Sequence, residues 1–223
     1  MPLVCMSALC GKPKASFDLP DLNQRVQGRC PNGIAGIHSY TKTDLRRRLR
    51  ARRAARQAAR AAADRVTRLP HWRRARHVAL YLAADGEIDT TPLIHAAWRA
   101  GKRVYLPVIR SPSGRLAFRR YTPTTALRSG RFGIRIPART AEPLRAVAGL
   151  DLLIMPLVGF DAAGHRLGMG GGFYDRTLAG RRRGRRPLRL GLAHVCQQQP
   201  AIPHDRWDQR LDRVVTDQST HFC

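Results

Sequence analysis

The residues best suited to chemistry lie between Gly159 and Thr177, in the run GFDAAGHRLGMGGGFYDRT. Gly168, Gly170, Gly171 and Gly172 leave the backbone nearly bare of side chains, so its N–H groups can turn onto a phosphate. A helix predicted to start near Phe173 adds its positive end to the same anion. Arg166 supplies a full charge just before the glycines, and Asp175 a hard oxygen ligand just after them. A phosphate cradle beside a carboxylate suits a magnesium-bound nucleotide. The run is not a P-loop, because no Gly-Lys-Ser/Thr follows. Nor is it a dinucleotide fingerprint, since a turn over Asp161 to His165 separates the glycines from the strand before them.

The elements that must position this run follow from hydrophobic patterning. Leu150 to Val158 is almost wholly apolar, which predicts a central, parallel strand. His77 to Leu82 reads as a second buried strand, and Arg103 to Leu106 as a third that Pro107 ends. Between them Asp89-Thr90-Thr91-Pro92 opens a helix with Leu93, Ile94, Ala97 and Trp98 on its inner face. A turn over Ser111 to Gly114 leads into a hairpin strand, Leu116 to Tyr121. Leu188 to His194 and Arg213 to Thr216 complete the set. Upstream, Thr43 or Asp44 can cap a helix running to about Leu69, where Pro70 ends it. Its apolar side holds Leu45, Leu49, Ala55, Ala59, Ala62, Val66 and Leu69. Strand and helix in alternation predict an α/β fold, a mostly parallel central sheet with helices on both faces, in one domain from residue 41 to 223. Residues 1–40 carry three of the five cysteines and no sustained periodicity. They are expected to be a disordered extension or a wrongly assigned start.

The 223-residue chain has a formal charge of +26, with 41 Lys+Arg against 15 Asp+Glu. Only four of those cations are lysines, a skew that points partly to arginine-rich compositional drift. Residues 42 to 76 hold fourteen cations and two acids, and Arg181 to Arg189 add six arginines. Such charge attracts polyanions without choosing among them. Few aromatics (6%) and no stacking platform on a basic strand argue against the RNA-binding alternative. No apolar run reaches eighteen residues, which argues against a membrane span. Five cysteines without a Cys-x-x-Cys pair argue against a disulfide framework or a structural zinc, and for a cytoplasmic protein with free thiols.

Asp161, Gly164, Arg166-Leu167-Gly168, Gly170 to Gly172 and Tyr174-Asp175 closely resemble the signature of the 5-formyltetrahydrofolate cyclo-ligases. Lys42-Thr43-Asp44-Leu45-Arg46 is similar to that family's N-terminal Lys-x-x-x-Arg. Gly86-Glu87-Ile88-Asp89-Thr90 resembles its substrate-side motif, and Pro203-His204-Asp205 with Val215-Thr216 its C-terminal one. The motifs occur in the family's order from Lys42 to Asp217. The resemblance implies ATP- and Mg²⁺-dependent cyclisation of 5-formyltetrahydrofolate, with or without a polyglutamate tail, to 5,10-methenyltetrahydrofolate. The protein is expected to be a monomer with no specific nucleic-acid partner and no membrane partner. Lys42 and Arg46 would bind ATP phosphates. Arg166, Leu167, Gly168, Met169, Gly170, Gly171, Gly172, Phe173 and Tyr174 would form the ATP loop, with Arg166 and Tyr174 closest to the chemistry. Leu82, Glu87 and Tyr174 would meet the folate, and Asp175 and Asp205 the Mg²⁺. Two features depart from the pattern: Met169 and Gly171 stand where some members carry Arg or Lys, leaving a loop cation to be found elsewhere. A catalytically weak folate-binding relative is therefore a further alternative. Taken singly, Lys42 and Arg46 read as solvated cations, Asp205 as a partner of Arg206 or Arg210, and Glu87 as an exposed turn residue.

Overall fold

The computed structural model describes residues 41–54, 59–110, 112–144, 146–182 and 185–223. The chain divides into two units, Met1–Ser39 and Tyr40–Cys223. The first, where the sequence predicts an extension or a misassigned start, lies outside the described residues, as do Ala55 and its three successors. The second unit contains α1 (Lys42–Ala54), α2 (Ala59–Arg68), α3 (Pro70–Arg74), β1 (His77–Ala79), α4 (Thr91–Arg99), β2 (Arg103–Arg110) and β3 (Arg115–Tyr121). A small pair, β4 (Leu127–Ser129) and β5 (Arg135–Pro137), precedes β6 (Leu152–Pro156), β7 (Gly159–Phe160) and β8 (Arg166–Leu167). Then come α5 (Phe173–Leu178), β9 (Leu188–Ala193), β10 (Arg213–Thr216) and β11 (Thr220–Phe222).

Seven strands form the main sheet in the order β11-β10-β9-β6-β1-β2-β3. The inner five are parallel, and β3 and β11 add antiparallel edges. The apolar β6 sits at the centre, as its buried-on-both-faces composition requires. Its side chains alternate between two cores. Leu152 and Ile154 join Val78, Leu80, Leu190 and Val215 beneath α2, α3 and α4, which contribute Ala62, Val66, Trp72, Leu93 and Ile94. Leu153 and Met155 face the other way, with Ala79, Tyr105, Phe118 and Val214, under Leu178 of α5 and the Leu157 and Phe160 segment. Among the described residues, helices thus cover both faces, three on one and a single short one on the other. A third cluster, Leu45, Leu49, Val158, Leu167 and Ile202, packs α1 over the β7–β8 pair.

Several boundaries differ from expectation for local reasons. The cap of α1 is Thr41, not Thr43 or Asp44: its Oγ1 accepts the Asp44 N–H at 3.2 Å, and the helix begins at Lys42. Pro70 does not merely stop a helix but opens α3, because its missing N–H is harmless at a first turn. The strand expected over His77 to Leu82 is three residues long. The strand expected to stop at Pro107 runs on to Arg110. Beyond the Ala79–Tyr105 pair β1 leaves β2, and β3 alone carries the ladder past Pro107. Arg189, counted in an arginine run, is buried and donates to the carbonyls of Arg181 and Arg210. The β4–β5 and β7–β8 pairs and β11 carried no pattern long enough to predict.

Candidate active site

The parallel strands point their carboxyl ends at one large cleft of about 1470 Å³. It is walled by the segments following β1 and β6 and by the carboxyl half of β2, flanking the point where chain order reverses between β1 and β6, which is where open α/β sheets bind ligands. The volume exceeds the roughly 300–1,000 Å³ of a single small-molecule pocket, so two ligands fit side by side. Every site residue expected from sequence lines it: Lys42, Arg46, Leu82, Glu87, the stretch from Arg166 to Asp175, and Asp205.

Helix α1 delivers three cations at four-residue spacing, so they share one face. Leu45 and Leu49 bury the neighbouring face and fix the helix against Leu167 and Ile202. Lys42 Nζ then bonds Asp205 Oδ2 at 2.6 Å and Asp208 Oδ2 at 2.7 Å. Arg46 Nε donates to the Gly168 carbonyl at 2.8 Å, and Arg50 Nε pairs with Asp85 at 2.7 Å. Asp205 therefore pairs with Lys42 rather than with Arg206 or Arg210. Partial burial works against charge on Lys42, but bonds to Asp205 and Asp208 outweigh it and raise its pKa. Burial alone would raise Asp208; bonds from Lys42 and the Asp205 N–H lower it instead.

The β7–β8 pair and α5 build the opposite wall. Arg166, buried on β8, donates from Nη2 to Asp175 Oδ1 at 2.8 Å, and the Gln209 N–H donates to the same oxygen at 2.9 Å. The Arg166 guanidinium lies 5.9 Å from the Tyr174 ring centre, and its buried Nε has no partner among the described residues. That unused donor faces no protein acceptor and suits an anionic ligand. Loss of solvent, with the Glu87 charge nearby, raises the Tyr174 phenol pKa. The loop between β8 and α5 needs left-handed backbone at Gly170 (φ 94°) and Gly172 (φ 61°), which explains glycine there.

On the substrate side, Asp85 (φ 52°) and Gly86 (φ 72°) make a tight turn after β1. Glu87 closes it by accepting the Ala84 N–H at 3.1 Å, and is half-buried, not an exposed turn residue. Buried Asp161 braces the other loops. Its carboxylate accepts the N–H groups of His165 and Ile202, and the His165 ring stacks on His204 at 3.6 Å. That stack sets the segment holding Asp205.

Asp175 and Asp205 offer the hard oxygen donors that Mg²⁺ takes alongside phosphate oxygens and water, so the donor set fits the ion. Among the described residues no three His, Cys, Asp or Glu gather into a site made of protein alone. Nine Lys or Arg residues line the cleft against five Asp or Glu, the balance a polyphosphate requires. Sequence reasoning missed Asp208, Gln209, Arg176 and the arginines of the β4–β5 hairpin. Asp208 lay one helical turn's distance from Asp205 and was the one with a readable signal.

Comparison with known proteins shows the family. Residues 38–217 match the model of the 5-formyltetrahydrofolate cyclo-ligase family. The chain is 46% identical to the 5-formyltetrahydrofolate cyclo-ligase of Escherichia coli K12 over 155 residues, 69% of this chain and 85% of the relative. The Haemophilus influenzae cyclo-ligase is 42% identical over 64% of this chain and 76% of its own. A solved structure of the Aquifex aeolicus 5,10-methenyltetrahydrofolate synthetase superposes with a TM-score of 0.69 at 29% identity, covering 81% of this chain and 92% of that one. The chain belongs to the 5-formyltetrahydrofolate cyclo-ligase family.

Proposed function

We propose that the protein cyclises 5-formyltetrahydrofolate to 5,10-methenyltetrahydrofolate, consuming ATP and releasing ADP and phosphate. The observation that carries this is the convergence of Lys42, Arg46, Arg166, the glycine loop and two carboxylates on a cleft with room for a nucleotide and a folate. A formamide oxygen is a poor leaving group, so it must first be activated. The formyl oxygen attacks the γ-phosphorus; the bond from phosphorus to the bridging oxygen breaks, and its electron pair stays with ADP. The N10 lone pair then attacks the activated carbon. The carbon–oxygen bond breaks, phosphate leaves with that electron pair, and N10 gives up its proton as the ring closes.

Such a reaction needs alignment and charge stabilisation more than a nucleophilic side chain. Lys42, Arg46 and Arg166 would hold the phosphate chain, and the loop N–H groups would share that work. Glu87, Leu82 and Tyr174 would orient the folate so that its formyl oxygen faces the phosphate. Asp175 and Asp205 would hold Mg²⁺, which supplies charge neutralisation on the phosphates when bound. The reading is of a monomer acting in the cytoplasm on folate with or without a polyglutamate tail, and of no specific nucleic-acid partner. Among the described residues Cys196 and Cys223 are not joined in a disulfide, which suits a reducing compartment. No described helix is long and apolar enough to cross a membrane.

The test is a spectrophotometric assay for the methenyl product with pure 5-formyltetrahydrofolate. Product should form only with ATP and Mg²⁺ together, and should stop on chelation. Absence of turnover with all three present would overturn the reading.

A further inference from the structure

The loop from Gly168 to Gly172 carries no charged side chain, yet two guanidinium groups hold it by its carbonyls. Arg46 takes the Gly168 carbonyl from α1. The second is Arg176, on α5, which folds back so that Nη2 donates to the Gly171 carbonyl while Nε donates to Gly114 at 3.1 Å. Its guanidinium also lies 5.3 Å from the Phe173 ring centre. A Cβ at Gly172 would come within 2.7 Å of Arg176 Nη1, so the bare glycine is what allows the side chain to lie along the loop.

Arg46, like Arg176, meets only backbone at this loop, whereas three other cations of the cleft have carboxylate partners. Arg166 is matched by Asp175, Lys42 by Asp205 and Asp208, and Arg50 by Asp85. Arg176 bonds two backbone carbonyls and stacks on a ring, contacts that orient a guanidinium without cancelling its charge. It lines both the cleft and a smaller adjoining pocket, where its charged neighbours are Arg110 and Arg115 with no carboxylate in the lining. An oriented, exposed, uncompensated guanidinium on a phosphate-type loop is matched to one chemical class, a polyphosphate oxyanion.

We propose that Arg176 is the phosphate-binding cation of the glycine loop, a role that no residue within the loop can fill. The assignment rests on the ATP-dependent reaction proposed above. It deepens that reading by making ATP binding depend on a residue outside the loop. Its bond to Gly114 also ties the loop to the β2–β3 turn, so a purely structural tether is the competing role.

The test separates the two. In Arg176→Gln, kcat/KM for ATP should fall about 100-fold, the scale of losing one charge-stabilising donor. KM for 5-formyltetrahydrofolate should stay within about twofold. Calorimetric titration with a non-hydrolysable ATP analogue should show at least about tenfold weaker binding. Met169 is half exposed within the loop, so Met169→Arg can restore a cation there without contact to Gly114. The double variant Arg176→Gln/Met169→Arg should recover at least about tenfold of the loss, and Arg176→Lys should lie between wild type and Gln. Unchanged ATP kinetics in Arg176→Gln would overturn the assignment while leaving the reaction intact. Equal loss for both substrates, lowered Tm and no rescue by Met169→Arg would make Arg176 a tether and also overturn it. A wild-type protein inactive with ATP would instead overturn the underlying reaction, and the assignment with it.

Discussion

The two ends of the parallel sheet use the same residue types to opposite effect. At the amino ends, charged groups complete the backbone. Asp151, just before β6, accepts the N–H groups of Arg76 and His77 at 2.8 and 2.9 Å and pairs with Arg186. Asp212, just before β10, accepts the Arg189 N–H at 2.8 Å, and Lys102 Nζ donates to the Ala75 carbonyl at 2.7 Å. At the carboxyl ends, charges face one cleft, pair across loops that are distant in sequence and retain donor capacity, as at the Arg166 Nε. Strand starts leave N–H groups that a carboxylate can satisfy locally. Strand ends open into loops, where side chains from many segments converge on a ligand. A charge serves the fold when its partner is the backbone at a strand start, and serves a site when side chains and loops converge with it on an open cleft.

The comparison breaks most sharply at Asp175. Asp175→Asn should lower turnover at least about 100-fold, the range for losing an electrostatic group at a reacting centre. Because the amide keeps an acceptor for Gln209, the cooperative unfolding transition should persist. Steady-state rates beside a denaturant melt check both, and an unchanged rate would remove Asp175 from the site.

Asp151→Ala should do the reverse. Two N–H groups at a strand start lose their acceptor, a cost of about 1–3 kcal/mol in unfolding free energy, while kcat/KM stays near wild type. A large kinetic defect in this variant would show that the two ends are coupled.

The finest distinction is in pH dependence. Burial would raise the Asp151 carboxyl pKa, but the His77 and Arg76 N–H groups and the Arg186 charge lower it below the ordinary value. A carboxylate depressed in the native state stabilises the fold above its unfolded pKa, about 3.9, and that stability is lost as pH falls through the native value. The stability gap between wild type and Asp151→Asn should therefore be full at pH 6 and shrink below about pH 4. Urea melts at stepped pH test this, and a gap that is constant through the acid range would count against the charge.

Much of the architecture was legible beforehand. The apolar run from Leu150 to Val158 read as a central strand and holds β6, and the helix after the glycines begins at Phe173 as expected. The site was legible as motif fragments, because Gly, Arg and Asp at short spacing carry their chemistry locally. Partners were not. Nothing near Lys42 in sequence indicates Asp205 and Asp208, 163 and 166 residues away. Nor does the arginine run around Arg189 show which member is buried. The short β4–β5 hairpin and the reach of Arg176 back over its own loop were equally hidden, since both depend on contacts rather than on periodicity.

By itself, then, the sequence determined the period of each long element, the backbone freedom of the glycine loop and the inventory of charges near it, because these follow from local sterics and side-chain type. Only the tertiary structure decided which charges neutralise one another and which remain for a ligand. Pairing depends on distance in space, and the parallel sheet sets that distance by bringing loops far apart in the chain to a single edge.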